Sequence, residues 1–179
     1  NNLKLANQET NGATIFVYPV SNPSRYGIVN FDENTNKVVS FVEKPSNPKS
    51  NYAVTGLYFF DNKVVNYAEN LIPSQRNELE IIDIINRYLS DDNLKLQILG
   101  TGIAWLDTGT FDALQEAGTF IRTLERRQGL KIGSPEETAW RNKLINDEEL
   151  IKLAGEISQS SYGNYLINLL KNPLQKYIK

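Results

Sequence analysis

Hydrophobic and polar positions along this chain follow first a strand-like and then a helical pattern. Two extended runs are separated by the turn-forming Asp32-Glu33-Asn34-Thr35-Asn36, which predicts a hairpin. The run 52–60 is apolar at odd and even positions alike, which predicts a central strand covered on both faces. The runs rich in β-branched and aromatic residues, each predicted to be a strand, are 13–20, 26–32, 37–43, 52–60 and 94–99.

Two segments with helical spacing lie on either side of the last of these runs, 94–99. Apolar residues recur at helical intervals over 78–89 and again over 111–127. Because strands and helices alternate in this part of the chain, we expect an α/β fold.

Beyond about residue 127 the sequence carries only helical signals. Ser134-Pro135-Glu136-Glu137 is a capping-box start with proline at the first helical position. Further amphipathic segments begin at Asp147 and span 161–170. Helices this short cannot each bury an apolar face alone, so we expect them to pack on the α/β body or on another subunit. The sequence is therefore divided into a domain, 1–127, and a helical extension, 128–179.

Composition narrows the classes of function. The chain has 179 residues, a net charge of −2, and no histidine, cysteine or methionine. The charge argues against a nucleic-acid partner. Without histidine or cysteine there is no Ser-His-Asp triad or thiol nucleophile, and any metal must be held by oxygen. No run is long enough to span a membrane and no charged-then-apolar leader opens the given sequence, which favours the cytoplasm. The opening Asn1 predicts a fragment or trimmed product.

Charged residues follow the apolar segments at three points. Lys44 ends a predicted strand before Pro45, Arg76 precedes a predicted helix, and Asp107 lies between a strand and the helix from Phe111. Cations of this kind suit a phosphate, and an aspartate suits a hard metal such as Mg²⁺. Each also has an ordinary explanation as a solvated cation or as a turn-forming Asp-Thr-Gly.

Taken together with their neighbours, these residues resemble a known family. In its order and flanking residues, the sequence from about Gly12 through the C-terminal helices resembles the sugar-1-phosphate nucleotidyltransferases, and among them the glucose-1-phosphate thymidylyltransferases of dTDP-sugar and dTDP-rhamnose synthesis. The resemblance implies the later part of a Rossmann-like mixed sheet flanked by helices, with a C-terminal helical extension. The blocks that carry it are Arg25-Tyr26-Gly27, Val42-Glu43-Lys44-Pro45, 48–58, Glu78-Leu79-Glu80-Ile81-Ile82-Asp83 and Ala104-Trp105-Leu106-Asp107-Thr108-Gly109.

The same resemblance implies a reaction and a set of roles. An oxygen of glucose 1-phosphate would attack the α-phosphorus of dTTP and release pyrophosphate, with Mg²⁺ as cofactor. Lys44 and Arg76 would contact the sugar phosphate, and Asp107 would be one of two aspartates that hold Mg²⁺. The residues implied in binding the sugar are Tyr26, Gly27, Glu43, Val54, Tyr58 and Trp105.

The family's nucleotide-binding half has no counterpart in this sequence. A Gly-rich loop, a lysine and the second metal-binding aspartate precede these blocks in the family. We therefore expect a weak Mg²⁺ site with a single protein carboxylate, and no turnover by this chain alone. A bared sheet edge would also favour dimerisation or strand exchange.

The helical extension resembles that of the longer thymidylyltransferases, where it helps to form a regulatory nucleotide site between the subunits of a tetramer. Gly100, Glu137 and Arg141 fall on positions of that site, and we accordingly expect a homo-oligomer. Thr101 and Gly133 depart from the family's pattern. Glu137 also has two structural explanations: it could complete the Ser134 capping box or pair with Arg141 one turn later.

Two alternatives remain open. The enzyme could use UTP or CTP, because the base pocket belongs to the part without a counterpart here. The chain could instead be a non-catalytic sugar-phosphate-binding or assembly module. A Gly-rich loop and an Asp-ended strand encoded upstream would favour the enzyme, and a natural start at Asn1 would favour the module.

Overall fold

The computed structural model describes residues 2–74 and 77–171. The chain forms two compact units, Asn1–Trp105 and Leu106–Lys179. The first combines a sheet with helices and the second is helical in its described part, so the α/β class is confirmed. The functional boundary near residue 127 stays a prediction.

The first unit is organised around a mixed five-stranded sheet with the order β3-β2-β4-β1-β5. β1 runs parallel to β5 and antiparallel to β4, while β2 is antiparallel to β3 and β4. All five predicted strands are present, and the predicted hairpin is the β2–β3 pair. The strands are β1 Ala13–Pro19, β2 Gly27–Phe31, β3 Val38–Glu43, β4 Tyr52–Phe60 and β5 Leu94–Ile98.

One helix closes the core of this unit against the sheet. The helices are α1 Asn2–Gln8, α2 Lys63–Glu69 and α3 Ile81–Ser90. α3 buries Ile84, Ile85 and Tyr88, and Ile85 packs with residues of β1, β2, β3 and β5. The predicted helix start at residue 78 was wrong. Asn77 has a φ of 59° and Glu80 is an extended N-cap, so neither can belong to the first helical turn. The sequence did not predict α1 or α2.

β4 is central in the sheet but is not covered on both faces, which corrects the expectation for 52–60. Its register with β1 passes from Ile15↔Tyr58 to Val17↔Val54. Phe16 alone therefore lies opposite three residues, Thr55, Gly56 and Leu57, which we call the β4 bulge. Gly56 and Leu57 are exposed. Apolar composition on both parities had concealed this irregularity.

The second unit contains four helices in its described part: α4 Phe111–Gln128, α5 Pro135–Arg141, α6 Asp147–Glu156 and α7 Ser161–Lys171. Ser134 is the N-cap of α5, and its side chain accepts the Glu137 N–H. The predicted reciprocal half of that capping box was wrong, because the Glu137 carboxylate bonds Arg141 and Tyr165 instead. A complete capping box forms one helix later, between Asn146 and Glu149.

The short C-terminal helices bury their apolar faces against one another. Their shared core contains Leu150 and Ala154 of α6 with Leu166 and Leu169 of α7, and Trp140 of α5 packs on it. This mutual packing was not predicted, and the expectation of packing on the α/β body or on another subunit stays a prediction. Interlocking three short faces supplies the burial that no single one could provide.

Within residues 2–74 and 77–171, no helix combines the length and the apolar character needed to cross a membrane.

Candidate active site

A cavity of about 330 Å³ opens in the first unit, where β2, β3 and β4 meet the N-terminus of α3. It brings together six of the residues implied in sugar binding. They come from three strands, from Tyr26 just before β2 and from the end of the unit, so only the folded sheet makes them neighbours. The residues that line it are Arg25, Tyr26, Gly27, Phe41, Glu43, Val54, Thr55, Gly56, Tyr58, Glu80, Ile81, Ile82 and Trp105.

Gly27 and Glu43 form one wall of this cavity. They are directly paired in the β2–β3 ladder. A Cβ at Gly27 would lie 2.8 Å from Glu43 Oε2 and 2.4 Å from Phe41 Cζ. Glycine at this position therefore gives the Glu43 carboxylate and the Phe41 ring the space they occupy.

Tyr58 contributes a hydroxyl next to that carboxylate. Burial first, and then the negative charge of Glu43, raise the pKa of Tyr58 above its usual value. The phenol therefore stays protonated at neutral pH and can donate a hydrogen bond. Glu43, in turn, offers a carboxylate that accepts. A donor and an acceptor lining one small cavity suit a ligand rich in hydroxyl groups.

Trp105 forms an aromatic wall with two tyrosines. Its indole N–H donates to the Thr55 carbonyl at 3.2 Å. The Tyr26 ring meets it edge-on at a centroid distance of 5.2 Å, and the Tyr18 ring lies 6.2 Å away. Aromatic faces of this kind cover the apolar C–H surface of a sugar, while the polar groups read its hydroxyls.

Lys44 follows Glu43 with an uncommon backbone conformation. Its φ is 44°, in the left-handed region that few non-glycine residues adopt. Its N–H donates to the Tyr26 carbonyl at 3.0 Å, which extends the β2–β3 ladder by one bond. The Lys44 Nζ lies 3.8 Å from Glu43 Oε1, and the side chain is 57% exposed. An exposed cation thus lies beside the cavity wall, where it can meet an anionic substituent.

The other two residues predicted for catalysis are not among the described residues of the first unit. Arg76 lies outside the described residues. Asp107 belongs to the second unit, and its Oδ1 accepts the Gly109 N–H at 3.0 Å in a local turn. Among the residues described, no three acidic side chains are grouped to hold a metal ion. Asp107 as a Mg²⁺ ligand, and the roles of Lys44 and Arg76, remain predictions.

The residues predicted for regulation are distributed over both units. Gly100 follows β5 in the first. In the second, Arg141 Nε donates to Glu137 Oε1 at 2.7 Å, and the Tyr165 hydroxyl donates to the other Glu137 oxygen. The predicted Glu137–Arg141 pair is thus present, within a network that joins α5 to α7. Gly133 has a φ of 71°, which explains glycine immediately before the Ser134 N-cap.

Sequence reasoning missed several residues of the cavity wall. Thr55 and Gly56 enter it through the β4 bulge, and Glu80 enters it from the N-cap of α3. Glu80 Oε1 accepts the Ser74 hydroxyl at 2.8 Å. A glycine inside a strand pattern is a known sign of a bulge, so Gly56 was the available signal. Nothing comparable distinguishes Glu80 from an ordinary first-turn acid.

A mixed α/β sheet with a polar and aromatic cavity at its strand ends is typical of domains that bind small molecules. Residues 1–123 match the Nucleotidyl transferase family, and the chain belongs to that family. It is 52% identical over 169 residues to a glucose-1-phosphate thymidylyltransferase of Neisseria meningitidis, with 94% of this chain and 58% of the relative covered. It is 51% identical over 163 residues to the enzyme of that name from Mycolicibacterium smegmatis, with 91% and 56% covered.

A solved structure agrees with these sequence relatives. The crystal structure of a Bacillus anthracis protein, assigned as a glucose-1-phosphate thymidylyltransferase and in complex with sucrose, has a TM-score of 0.62 and 35% sequence identity to this chain. The match covers 74% of this chain and 50% of that one. The chain spans somewhat more than half the length of the curated relatives it matches.

Proposed function

We propose that this chain is the sugar-phosphate-binding part of a glucose-1-phosphate thymidylyltransferase, which converts dTTP and glucose 1-phosphate to dTDP-glucose and pyrophosphate. The observation that carries the proposal is the cavity itself. Residues that a family resemblance assigns to sugar binding surround one space of about 330 Å³, a volume at the small end of the range for ligand pockets.

Each wall of the cavity has a part in holding the sugar. Glu43 accepts hydrogen bonds from glucose hydroxyls and Tyr58 donates one. Tyr26 and Trp105 cover the apolar side of the ring. Lys44, beside Glu43, neutralises the phosphate that leaves the cavity at its open side, with Arg76 as the second proposed cation.

The reaction requires positioning and charge neutralisation more than proton transfer. A phosphate oxygen of glucose 1-phosphate forms a bond to the α-phosphorus of dTTP, and the bond to pyrophosphate breaks. The phosphate nucleophile is already ionised at neutral pH, so the absence of histidine is no obstacle. Mg²⁺, when bound, would neutralise charge on the triphosphate, and Asp107 is the residue of this chain proposed to supply an oxygen to it.

Pyrophosphate release from dTTP and glucose 1-phosphate, with Mg²⁺, tests the assignment. The 179-residue chain is compared with a form extended by the coding sequence upstream of Asn1. We expect release by the extended form alone. Pyrophosphate release by the short chain would contradict the proposal that the nucleotide site lies outside it. If neither form releases pyrophosphate, the enzyme assignment is contradicted.

A binding measurement on the short chain separates the enzyme part from an unrelated module. Calorimetric titration with glucose 1-phosphate should show saturable binding, and glucose or inorganic phosphate alone should bind more weakly. Each of these ligands makes only some of the contacts. No binding of glucose 1-phosphate would contradict the assignment of the cavity.

The finer features of the proposal follow from the same family likeness. They are a preference for dTTP over UTP and CTP, a tetrameric complete protein in the cytoplasm, and regulation through Gly100, Glu137 and Arg141. Initial rates with the three nucleotides and light scattering of the extended form test the first two. Inhibition by dTDP-sugars that is lost in Arg141→Ala tests the regulatory site.

A further inference from the structure

The β4 bulge connects the sheet to the aromatic wall of the cavity through one residue, Thr55. Its two hydrogen-bonding groups face different partners. The Thr55 hydroxyl donates to the Phe16 carbonyl of β1 at 3.0 Å. The Thr55 carbonyl accepts the Trp105 indole N–H at 3.2 Å. Thr55 therefore joins a core strand on one side to a cavity residue on the other.

The bulge is what makes this double contact possible. In a regular antiparallel ladder, backbone carbonyls are used between strands. Here Phe16 faces three residues of β4, and Gly56 takes a φ of 77°, so the ladder is interrupted at Thr55. The interruption leaves the Thr55 carbonyl available to a side chain. The Thr55 hydroxyl meanwhile restores a bond to β1, where Phe16 is fully buried.

Trp105 depends on its side-chain contacts for its position, because it lies beyond the last strand, in a segment without regular secondary structure. Its aromatic contacts are an edge-on approach to Tyr26 and a tilted approach to Tyr18, and aromatic pairs of this kind occur over a range of centroid distances. The hydrogen bond to Thr55 gives the indole a directional anchor and so sets its depth in the cavity.

We propose that Thr55 is a positioning residue for the sugar site: its hydroxyl holds the β4 bulge, and its carbonyl seats Trp105 against the ligand. The role in binding rests on the proposed function, whereas the seating of Trp105 does not. Thr55 reaches the substrate through Trp105 and is not itself a catalytic residue.

Thr55→Val tests this role, because valine keeps the branched shape and removes only the hydroxyl. Thr55→Ser retains the hydroxyl and is the rescue variant. Thr123→Val is the matched control, since the Thr123 hydroxyl donates to a backbone carbonyl within α4 and plays no part in the cavity. Two readouts are taken on the 179-residue chain: the Trp105 indole N–H resonance, assigned with Trp105→Phe, and calorimetric affinity for glucose 1-phosphate.

We expect Thr55→Val to shift the indole resonance and weaken glucose 1-phosphate binding by about fivefold, as for the loss of one hydrogen bond. Thr55→Ser and Thr123→Val should match the parent chain in both readouts. Melting curves exclude general unfolding as the cause. In the extended form, the Thr55→Val defect should appear in KM for glucose 1-phosphate more than in kcat.

The other outcomes each contradict a definite part of the proposal. An unchanged resonance with unchanged affinity would overturn it entirely. A shifted resonance with unchanged affinity would leave the seating of Trp105 but remove its role in binding. If the parent chain binds no glucose 1-phosphate, the proposed function fails together with the positioning role, while the resonance still reports whether Thr55 seats Trp105.

Discussion

Gly27 lies so close to Glu43 that a single added carbon would collide with the carboxylate, 2.8 Å from Oε2. The same carbon would lie 2.4 Å from Phe41 Cζ. Gly27→Ala must therefore displace one or both cavity residues. We expect it to weaken glucose 1-phosphate binding by about tenfold or more, since at least one polar contact and the fit of the wall are lost.

Gly118→Ala is the control for this substitution. Gly118 lies inside α4, and apart from its chain neighbours and the backbone of its own helix, no atom of the described residues lies within 4 Å of the position of its added Cβ. The exchange should leave binding unchanged and stabilise the helix by about 0.5–1 kcal/mol. Parent-like affinity in Gly27→Ala would contradict the proposed geometry of the sugar site.

Lys44→Ala should lower kcat/KM of the upstream-extended form by about 100-fold or more, because it would remove the cation proposed to neutralise the attacking phosphate of glucose 1-phosphate. Asp107→Asn should have a comparable effect, partly relieved by high Mg²⁺. Lys152→Ala, an exposed lysine of α6, is the control. Steady-state kinetics measure all three, and unimpaired rates in the first two variants would remove these residues from the site.

Asp61 ties the start of β1 to the end of β4. It accepts the Gly12 N–H at 2.8 Å and the Tyr88 hydroxyl at 2.6 Å, and its own N–H donates to the Gly12 carbonyl. We expect Asp61→Ala to lower the free energy of unfolding by about 2–3 kcal/mol, the range for losing hydrogen bonds to a charged group. Urea denaturation measures this.

The same carboxylate predicts a direction for acid sensitivity. Burial alone would raise the pKa of Asp61, but hydrogen bonds from Tyr88, Gly12 and Lys63 outweigh it and lower that pKa below 3.8. Its stabilising contribution is therefore complete above pH 3.8 and is lost as the pH falls through the lowered pKa. Asp92→Asn, which alters an ion pair with Lys37 exposed on both sides, should cost less than about 1 kcal/mol. If Asp61→Ala and Asp92→Asn lower the free energy of unfolding equally, the assigned role of Asp61 is contradicted.

Alkaline pH should weaken the helical unit through Tyr165. Burial, and then its hydrogen bond to Glu137, raise the pKa of Tyr165 from 10.0 to about 12. Because the folded-state pKa is raised, the stabilisation is complete below pH 10 and declines as the pH rises toward 12. Thermal unfolding between pH 9 and 12 should show a steeper decline in the parent chain than in Tyr165→Phe. If the melting temperatures of the parent chain and of Tyr165→Phe fall equally with pH, the pKa of Tyr165 is the same in the folded and unfolded states.

We expect Glu137 to stabilise the helical unit, whether or not it also binds a regulatory nucleotide. Its carboxylate connects Arg141 of α5 with Tyr165 of α7. Glu137→Ala should destabilise the helical unit by about 1–2 kcal/mol, since it leaves two donors without their acceptor. Glu148→Ala, at an exposed first-turn position of α6, should change stability by less than about 0.5 kcal/mol. Thermal melting distinguishes the two, and equal melting temperatures would contradict this role.

Local periodicity predicted a large part of the fold, and the order of the motifs predicted part of the cavity. The five strands and the helices α3 to α7 were predicted because alternation and helical spacing record which side of each element is buried. Blocks such as Tyr26-Gly27 and Glu43 identified six residues of the cavity wall, since their order along the chain resembles a family. Helix α2 was missed because it has only seven residues, and its β-branched Val64 and Val65 favour a strand as much as a helix.

What remained unpredicted depends on contacts between residues far apart in sequence. The sequence by itself determined the α/β class, the hairpin, the helical C-terminus and the residue types available for chemistry. Only the tertiary structure decided that β4 bulges at Gly56, that the Thr55 carbonyl accepts the Trp105 indole N–H and that the C-terminal helices bury one another. Register shifts and mutual burial are settled by the free energy of packing partners together, and no window along one strand or one helix contains both partners.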